Sequence, residues 1–473
     1  MINKQDILDR AAEWQLRPEV VEKDYVLGWL LAAVSSHLEL QSLWIFKGGT
    51  CIKKTYFETY RFSEDLDFTL VPEAPYSEAA IREQLQAVAQ SAAEMSGLEL
   101  PTDLIRVLPR HNKAGQDTFQ GRLYYRGPLQ RTQNYASIIF DITNDETLFA
   151  DPVARTVFHP YSDGLPGDVA VKCYSLEELL AEKTRALYQR TRPRDLYDVV
   201  YLLENCIEAI DLAEARRIFG AKCEFKGLTV PSSDELLALV QQNEELRADW
   251  ANMLAHQLPN LPEIDGTVAR FASLIGWIDK AEFVPAEAAL GAAVGASTRE
   301  TSIPLSGIRY WGGGSPVERI RFAGANRLLL EFVYNGKHRL VEPYSLREAR
   351  TTGNILLYAW ELSSGHIKAF KIDEMVDVRT TNTAFTPRYR VELSAQGPLS
   401  IPEVTRNPGV IRSPRLSTAR KTSAFNGPTH VFECTYCGKR FKTQKYNAQL
   451  KPHKDKTGWD CPGIIGYWVD TIY

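Results

Sequence analysis

Three carboxylates, a glycine pair and a lysine carry the chemistry open to this sequence. Asp65 and Asp67 stand two apart in Asp65-Leu66-Asp67-Phe68-Thr69-Leu70. A strand alternates its side chains, so both acids point one way and Leu66 and Phe68 turn to the core. Two hard oxygen ligands side by side suit Mg²⁺, which takes one or two protein carboxylates together with substrate phosphate oxygens. Upstream, Gly48-Gly49-Thr50 opens a helix and offers N–H groups and a hydroxyl where an anion is favoured. Phosphates on one side and metal carboxylates on the other make a site for moving a nucleotidyl group. Alone, an Asp-x-Asp is more often a solvated strand end and a Gly-Gly more often a turn; the conjunction carries the reading.

Further along, Ser137-Ile138-Ile139-Phe140-Asp141-Ile142 is apolar except for Asp141. A carboxylate in a buried strand is costly unless it has a partner. A salt bridge is the ordinary solution; a third metal ligand is the other, because a two-metal phosphoryl site needs three carboxylates. Ser175 and Glu178 read as a capping box for a helix on which Lys183 and Arg190, seven apart, share a face. Pro193 starts the next helix, with Asp195 and Asp198 in it. Taken singly, these charges read as a solvated face with pairs such as Glu182 and Arg185. Near the C-terminus, Cys434-x₂-Cys437 followed by His453 and Cys461 has the ligand types of a closed, structural Zn²⁺ site.

Three stretches are similar to one family: Glu22-Lys23-Asp24-Tyr25, Phe46 to Thr50 (FKGGT) and Arg61 to Asp67 (RFSEDLD). Together with Glu182-Lys183, Ala186, Arg190 and Pro193 to Asp198, they resemble the AbiEii/AbiGii abortive-infection toxins of the polymerase-β-like nucleotidyltransferases over roughly residues 15 to 210. The resemblance implies catalysis by Asp65, Asp67, Asp141, Lys183, Asp195 and Asp198. It implies Mg²⁺ (or Mn²⁺) on Asp65, Asp67 and Asp141, and an NTP substrate on Gly48, Gly49, Thr50, Ser63, Lys183 and Arg190. Lys183 would bind triphosphate, with Asp195 or Asp198 orienting it or assisting the nucleophile; sequence does not separate those two. The implied activity is NMP transfer from NTP to an RNA acceptor, a tRNA 3′ end by analogy, in a toxin–antitoxin system of phage defence with an antitoxin partner. The rivals are a transferase that modifies a protein side chain, as in AMPylation, and a non-catalytic nucleic-acid-binding sensor.

The 473 residues are too many for one core. The expected fold is multidomain: an α+β polymerase-β-like nucleotidyltransferase core with a helical bundle, a small Sm/SH3-like β-barrel and a C-terminal zinc-binding module. Its boundaries are 1–295 (core to about 205), 296–395, 396–430 as a flexible linker, and 431–473. Asp6 is a candidate cap for the first helix, and Val26, Leu27, Leu30, Leu31 and Val34 form an apolar stripe on the second. From Ile308 the pattern turns to period two, with strands at Leu328–Tyr334, Lys337–Glu342, Ile355–Leu362 and Ile367–Val378. This module resembles a WYL domain through Tyr334, Glu342-Pro343, the Leu356-to-Trp360 strand and Phe370 to Asp373. It departs from that family at Leu357-Tyr358-Ala359 and at Glu374.

The net charge of −4 divides unevenly, since residues 401–473 hold twelve Lys/Arg against five Asp/Glu. That basic tail interleaves Lys439, Arg440, Lys442, Lys445, Lys451 and Lys454 with Phe441, Tyr446 and Trp459, a composition that suits RNA, or DNA, by phosphate contact and base stacking. Cys51, Cys173, Cys206 and Cys223 are scattered and read as small buried hydrophobes. No apolar run approaches the roughly 18 residues of a membrane span, which points to a cytoplasmic protein without a membrane partner.

Overall fold

The computed structural model of the chain describes residues 1–111, 117–130, 135–144, 146–207, 209–279, 300–302, 316–349, 354–393, 429–434, 437, 439–443, 450–453, 461 and 466–472. The chain divides into two compact units, Met1–Pro402 and Glu403–Tyr473. The linker expected at 396–430 lies outside the described residues except for 429–430.

The first unit begins with α1 (Lys4–Trp14), α2 (Pro18–Ser36) and the short α3 (Leu40–Leu43). Asn3, not Asp6, caps α1; Asp6 sits three residues on and returns the hydrogen bond to the Asn3 amide. Pro18 opens α2, where its missing N–H costs nothing. This helix is buried on nearly every side from Val20 to Val34, beyond the single stripe its spacing suggests.

The chain then runs through β1 (Trp44–Lys47), α4 (Gly48–Cys51), a π-turn at Ile52–Tyr56 and β2 (Asp65–Leu70). Next come α5 (Glu78–Ser96), β3 (Arg106–His111), β4 (Asp117–Tyr125), β5 (Ala136–Thr143), β6 (Val153–Thr156) and β7 (Ala170–Cys173). The seven strands form a mixed sheet in the order β3-β4-β5-β2-β1-β7-β6. Leu66 and Phe68 of β2 and Ile138, Phe140 and Ile142 of β5 are buried, with the Phe68 and Phe140 rings stacked 6.2 Å apart. The alternation leaves Asp65, Asp67 and Asp141 on the opposite face.

Helices α6 (Leu176–Arg190), α7 (Pro193–Cys206), α8 (Leu212–Phe225), α9 (Ser233–Gln242), α10 (Glu244–Leu254) and α11 (Ile264–Leu274) follow. Ser175 caps α6 through the Glu178 amide, but the expected box is not closed: the Glu178 carboxylate takes the Phe149 and Ala150 amides and the Lys222 ammonium instead. Cys51, Cys173, Cys206 and Cys223 are buried as expected.

The later part of this unit contains β8 (Glu300–Ser302), α12 (Val317–Ala325), β9 (Leu328–Tyr334), β10 (Lys337–Ala349), β11 (Ile355–Glu361), β12 (His366–Lys371) and β13 (Met375–Ala384). The sheet is antiparallel in the order β12-β11-β10-β9-β13, with β8 on β10. Three expectations change. The stretch read as period two from Ile308 contains helix α12. The single strand expected at Ile367–Val378 is two, divided by a turn at Ile372–Glu374. Among the described residues the edges β12 and β13 do not pair, so the sheet is not a closed barrel. Its core is its own, but Phe322, Ala325 and Leu328 join the larger core of the preceding domain. Tyr197 donates to Asn326 at 2.5 Å, Asn205 to the Ala325 carbonyl at 3.1 Å, and Arg327 to the Glu204 carbonyl at 2.7 Å. Helix α7 is thereby bolted to α12.

The second unit holds β14 (Thr429–Cys434), β15 (Arg440–Thr443) and β16 (Gly466–Ile472), a three-stranded sheet with β14 in the centre.

Candidate active site and candidate metal centre

The antiparallel β1–β2 pair sets Lys47 opposite Asp67, and the parallel β2–β5 pair sets Asp67 opposite Asp141. Gly48 has φ +79, and a Cβ there would stand 2.1 Å from the Asp67 Oδ2. Only glycine leaves room for that carboxylate. A Cβ on Gly49 would meet the Arg61 guanidinium at 2.7 Å and the Ser63 Oγ at 3.1 Å. Gly48 therefore borders the acidic face, and Gly49 packs on Arg61 and Ser63. Thr50 does not present its hydroxyl as expected: the side chain is buried and donates to the Asp65 carbonyl, pinning α4 to β2.

Like charges crowd here. Burial, then the neighbouring Asp141, pushes Asp67 up to about 7 against the pull of Lys47 and Lys183. The same two causes raise Asp65. Asp141 has one amide donor, Gln120 Nε2 at 2.9 Å, and no ion pair among the described residues. Three carboxylates with too few cations are what a divalent ion relieves. A carboxylate set on rigid, register-fixed strands also fits the hard oxygen coordination of Mg²⁺.

The helix charges sort into two clusters. Asp198 accepts from Arg61 Nε at 2.7 Å and Nη2 at 2.9 Å, and from Lys183 Nζ at 2.8 Å. Burial opposes its ionisation, yet Arg61 and Lys183 hold its carboxyl far below the usual range. Asp195 instead accepts both arms of Arg190, at 2.6 and 2.8 Å. Sequence alone left these two acids interchangeable; Asp198 is the one that positions Lys183. Both are fully buried and paired with cations. Glu182 pairs with Lys222 at 3.2 Å rather than with Arg185. Burial would raise the Glu182 pKa, but Lys222, Lys47, Arg185 and Lys183 bring it down to about 2.

Sequence reading missed Arg61, Lys47 and Glu146. Arg61 also donates to Gln257 Oε1 at 3.0 Å, so it ties the start of β2 to helices far along the chain. Lys47 pairs with Glu146 and is raised to about 12, burial opposing and Glu146 leading the causes. The only signal was that both cations lie inside motifs already singled out. The upstream Glu22-Lys23-Asp24-Tyr25 run is a set of struts: Glu22 accepts the Leu129 amide at 2.7 Å, Lys23 pairs with Glu64 at 2.5 Å, Asp24 with Lys54 at 2.7 Å, and Tyr25 donates to Asp163 at 2.7 Å.

In the second unit the ligand atoms of Cys434, Cys437, His453 and Cys461 all lie within 4.8 Å of one another. Cys434 and Cys461 sulfurs are 3.8 Å apart, and Cys437 Sγ is 3.3 Å from His453 Nε2. Zn–S bonds of about 2.3 Å in a tetrahedron imply sulfur separations of about 3.8 Å. The His453 Nδ1 faces the Lys451 carbonyl at 2.9 Å, which fixes the ring with Nε2 toward the thiols. The four residues thus fit a tetrahedral zinc ion. Lys439 and Arg440 are exposed beside them, whereas Lys445, Tyr446, Lys454 and Trp459 lie outside the described residues.

A glycine-lined cradle facing paired strand carboxylates is the arrangement of a nucleotidyltransferase. Residues 29–275, more than half of the chain, match the family model "Nucleotidyl transferase AbiEii toxin, Type IV TA system". The chain belongs to that family, and with it come nucleotidyltransferase activity, a toxin role and an antitoxin partner. Among solved structures, JHP933 from Helicobacter pylori is 15% identical, with 56% of this chain and 93% of that one covered and a TM-score of 0.38. Proteasome accessory factor B/C of Arthrobacter aurescens is 11% identical, with 79% and 74% covered and a TM-score of 0.15. No curated protein matches the chain. Among the described residues, no helix is long and apolar enough to cross a membrane.

Proposed function

We propose that this toxin transfers a nucleoside monophosphate from an NTP to an RNA acceptor, a tRNA 3′ end, in phage defence. The single observation that carries the reading is the register of β2 on β5, which sets Asp67 against Asp141 with Asp65 two residues away on the same face. Asp65, Asp67 and Asp141 would hold Mg²⁺ or Mn²⁺. Such ions supply charge neutralisation at the phosphates and a more acidic acceptor hydroxyl.

The chain's own groups do the rest. The Gly48 and Gly49 amides, with Ser63 beside them, line the approach to the acidic face, and Thr50 contributes rigidity rather than its hydroxyl. Lys183 stands fixed by Asp198 with two of its three N–H donors left for triphosphate oxygens. Arg190, half-exposed and held by Asp195, lies on the same helix toward solvent. Positioning and electrostatic stabilisation are what phosphoryl-type transfer asks of a protein. In the second unit Cys434, Cys437, His453 and Cys461 would hold structural Zn²⁺, and the basic residues around it would contact nucleic acid.

Incubating the full chain with α-labelled NTPs, Mg²⁺ and total tRNA tests this. Label in ribonuclease-sensitive material, absent with Asp65→Ala, is expected. Label in ribonuclease-resistant polypeptide would favour transfer to protein, and no label in either would count against the reading.

A further inference from the structure

A cavity of about 480 Å³ lies within the first unit, away from the acidic face, between the π-turn, α1, the 158–169 segment and α12. None of Asp65, Asp67, Asp141 or Lys183 lines it. Lys53 lines it, as do the carboxylates Glu13, Glu58 and Glu318. The π-turn buries two consecutive lysines, Lys53 and Lys54, where an exposed helix would leave them solvated. π-Turns recur at functional sites, and burying two adjacent cations is costly. Lys54 has its counter-ion in Asp24. Lys53 has none: among the described residues no carboxylate is within ion-pair distance, and its ammonium donates to the Glu58 carbonyl. It rests 4.1 Å from the Phe62 ring centroid and 5.9 Å from that of Trp14, two rings 5.2 Å apart. Asp24 at its margin is almost fully buried and is held by Lys54 at 2.7 Å and by the Tyr161 hydroxyl at 2.9 Å. Tyr161 completes the aromatic wall, 6.1 Å from Trp14.

We infer that this cavity is a binding site for a small aromatic acid, with a flat ring against the wall of Trp14, Phe62 and Tyr161 and an acidic group on Lys53. The acid answers the ammonium that lacks an ion-pair partner, and the ring answers the aromatic wall. At neutral pH the Lys53 amine, lowered to about 8 by burial but supported by Asp24, is still mostly cationic, as an anionic ligand requires. The site also has a route to the acidic face. Tyr60 and Phe62 line the cavity, while Arg61 between them turns away to grip Asp198, which in turn holds Lys183.

The test uses the full chain and two probes, indole-3-acetate and its uncharged counterpart indole-3-ethanol, titrated by calorimetry. One-to-one binding of the acid, at least tenfold tighter than the alcohol, is expected. Lys53→Met should erase that preference. Leu165→Trp, which fills the cavity from its half-buried edge without touching the charges, should weaken both probes tenfold or more. Asp67→Asn should leave binding unchanged, whatever it does to transfer. Equal binding of acid and alcohol, no binding of the acid, or loss of binding in Asp67→Asn would each overturn the inference. Should Lys53→Met fail to fold, Leu165→Trp still decides, since full acid binding in that variant removes the cavity from consideration.

Discussion

Asp67 on β2 stands directly opposite Asp141 on the parallel strand β5, and no basic residue separates them in the register. The pair is unfavourable by itself, because two carboxylates side by side resist ionising together. A cation between the two carboxylates would relieve that cost.

Gly48→Ala tests how tightly the glycine pair is fitted to that acid. The new methyl would stand 2.1 Å from Asp67 Oδ2 on a backbone already at φ +79. The left-handed strain alone costs roughly 1–2 kcal/mol. Gly97→Ala is the control: φ is +74, but its nearest neighbour is 3.9 Å away. Denaturant melts should show the left-handed strain in both and a further loss in Gly48→Ala from the clash with Asp67, and only Gly48→Ala should lose nucleotidyl transfer, by about 100-fold or more.

Lys183 and Asp198 are separable by their consequences. Lys183→Met leaves Asp198 with both arms of Arg61, so the protein should fold while transfer falls on the order of 100-fold, the loss typical of one electrostatic donor. Asp198→Ala leaves Arg61 and Lys183 buried without a counter-charge. That variant should lose about 3–5 kcal/mol of stability in addition. Urea melts beside activity assays distinguish the two.

The acidic face was legible in the sequence because strand alternation and motif order both act over a few residues. Asp65 and Asp67 announced a shared face, and the cysteine spacing announced the C-terminal cluster. Arg61 to Asp198 was not legible. The two are 137 positions apart, and nothing local says which of Asp195 and Asp198 faces which cation. Thr50 misled for a related reason, since a hydroxyl beside two glycines looks the same in sequence whether it faces a phosphate or a carbonyl. Helix α12 escaped because Val317–Ala325 is a short element with arginines among its apolar residues, and it is buried on two sides, by the sheet through Val317, Ile320 and Ala323 and by the larger core through Phe322 and Ala325.

Those contacts give α12 a structural duty. A chain ending at residue 295 would uncover the surface that Phe322, Ala325 and Leu328 fill and would leave Asn205 without the Ala325 carbonyl. It should melt at a lower temperature than the full chain and bind hydrophobic dye. An unchanged melting temperature would show the β-sheet domain to be dispensable to the first.

Zinc analysis of the purified chain should return one ion, falling to near zero in Cys434→Ser. Chelation should unfold the second unit, seen as loss of protection from exchange in β14 to β16, because closed zinc sites supply folding energy to small modules. Full metal content in Cys434→Ser would contradict the assignment.

The most direct measurement is the melting temperature of the full chain across pH, with and without Mn²⁺, in wild type and Asp67→Asn. In the native state Asp67 holds its proton up to about pH 7, whereas the unfolded chain releases it near its ordinary value of 3.8. Without metal, the raised pKa therefore makes stability fall as pH rises from about 4 to about 7, by on the order of 4 kcal/mol, and then level off. Asp67→Asn should remove that fall and be the more stable protein at pH 8 without metal. Mn²⁺ should raise the wild-type midpoint at pH 8 and leave the variant unmoved. An equal response to Mn²⁺ in both proteins, or a variant less stable than wild type without metal, would contradict the claim that these carboxylates are gathered around a divalent ion.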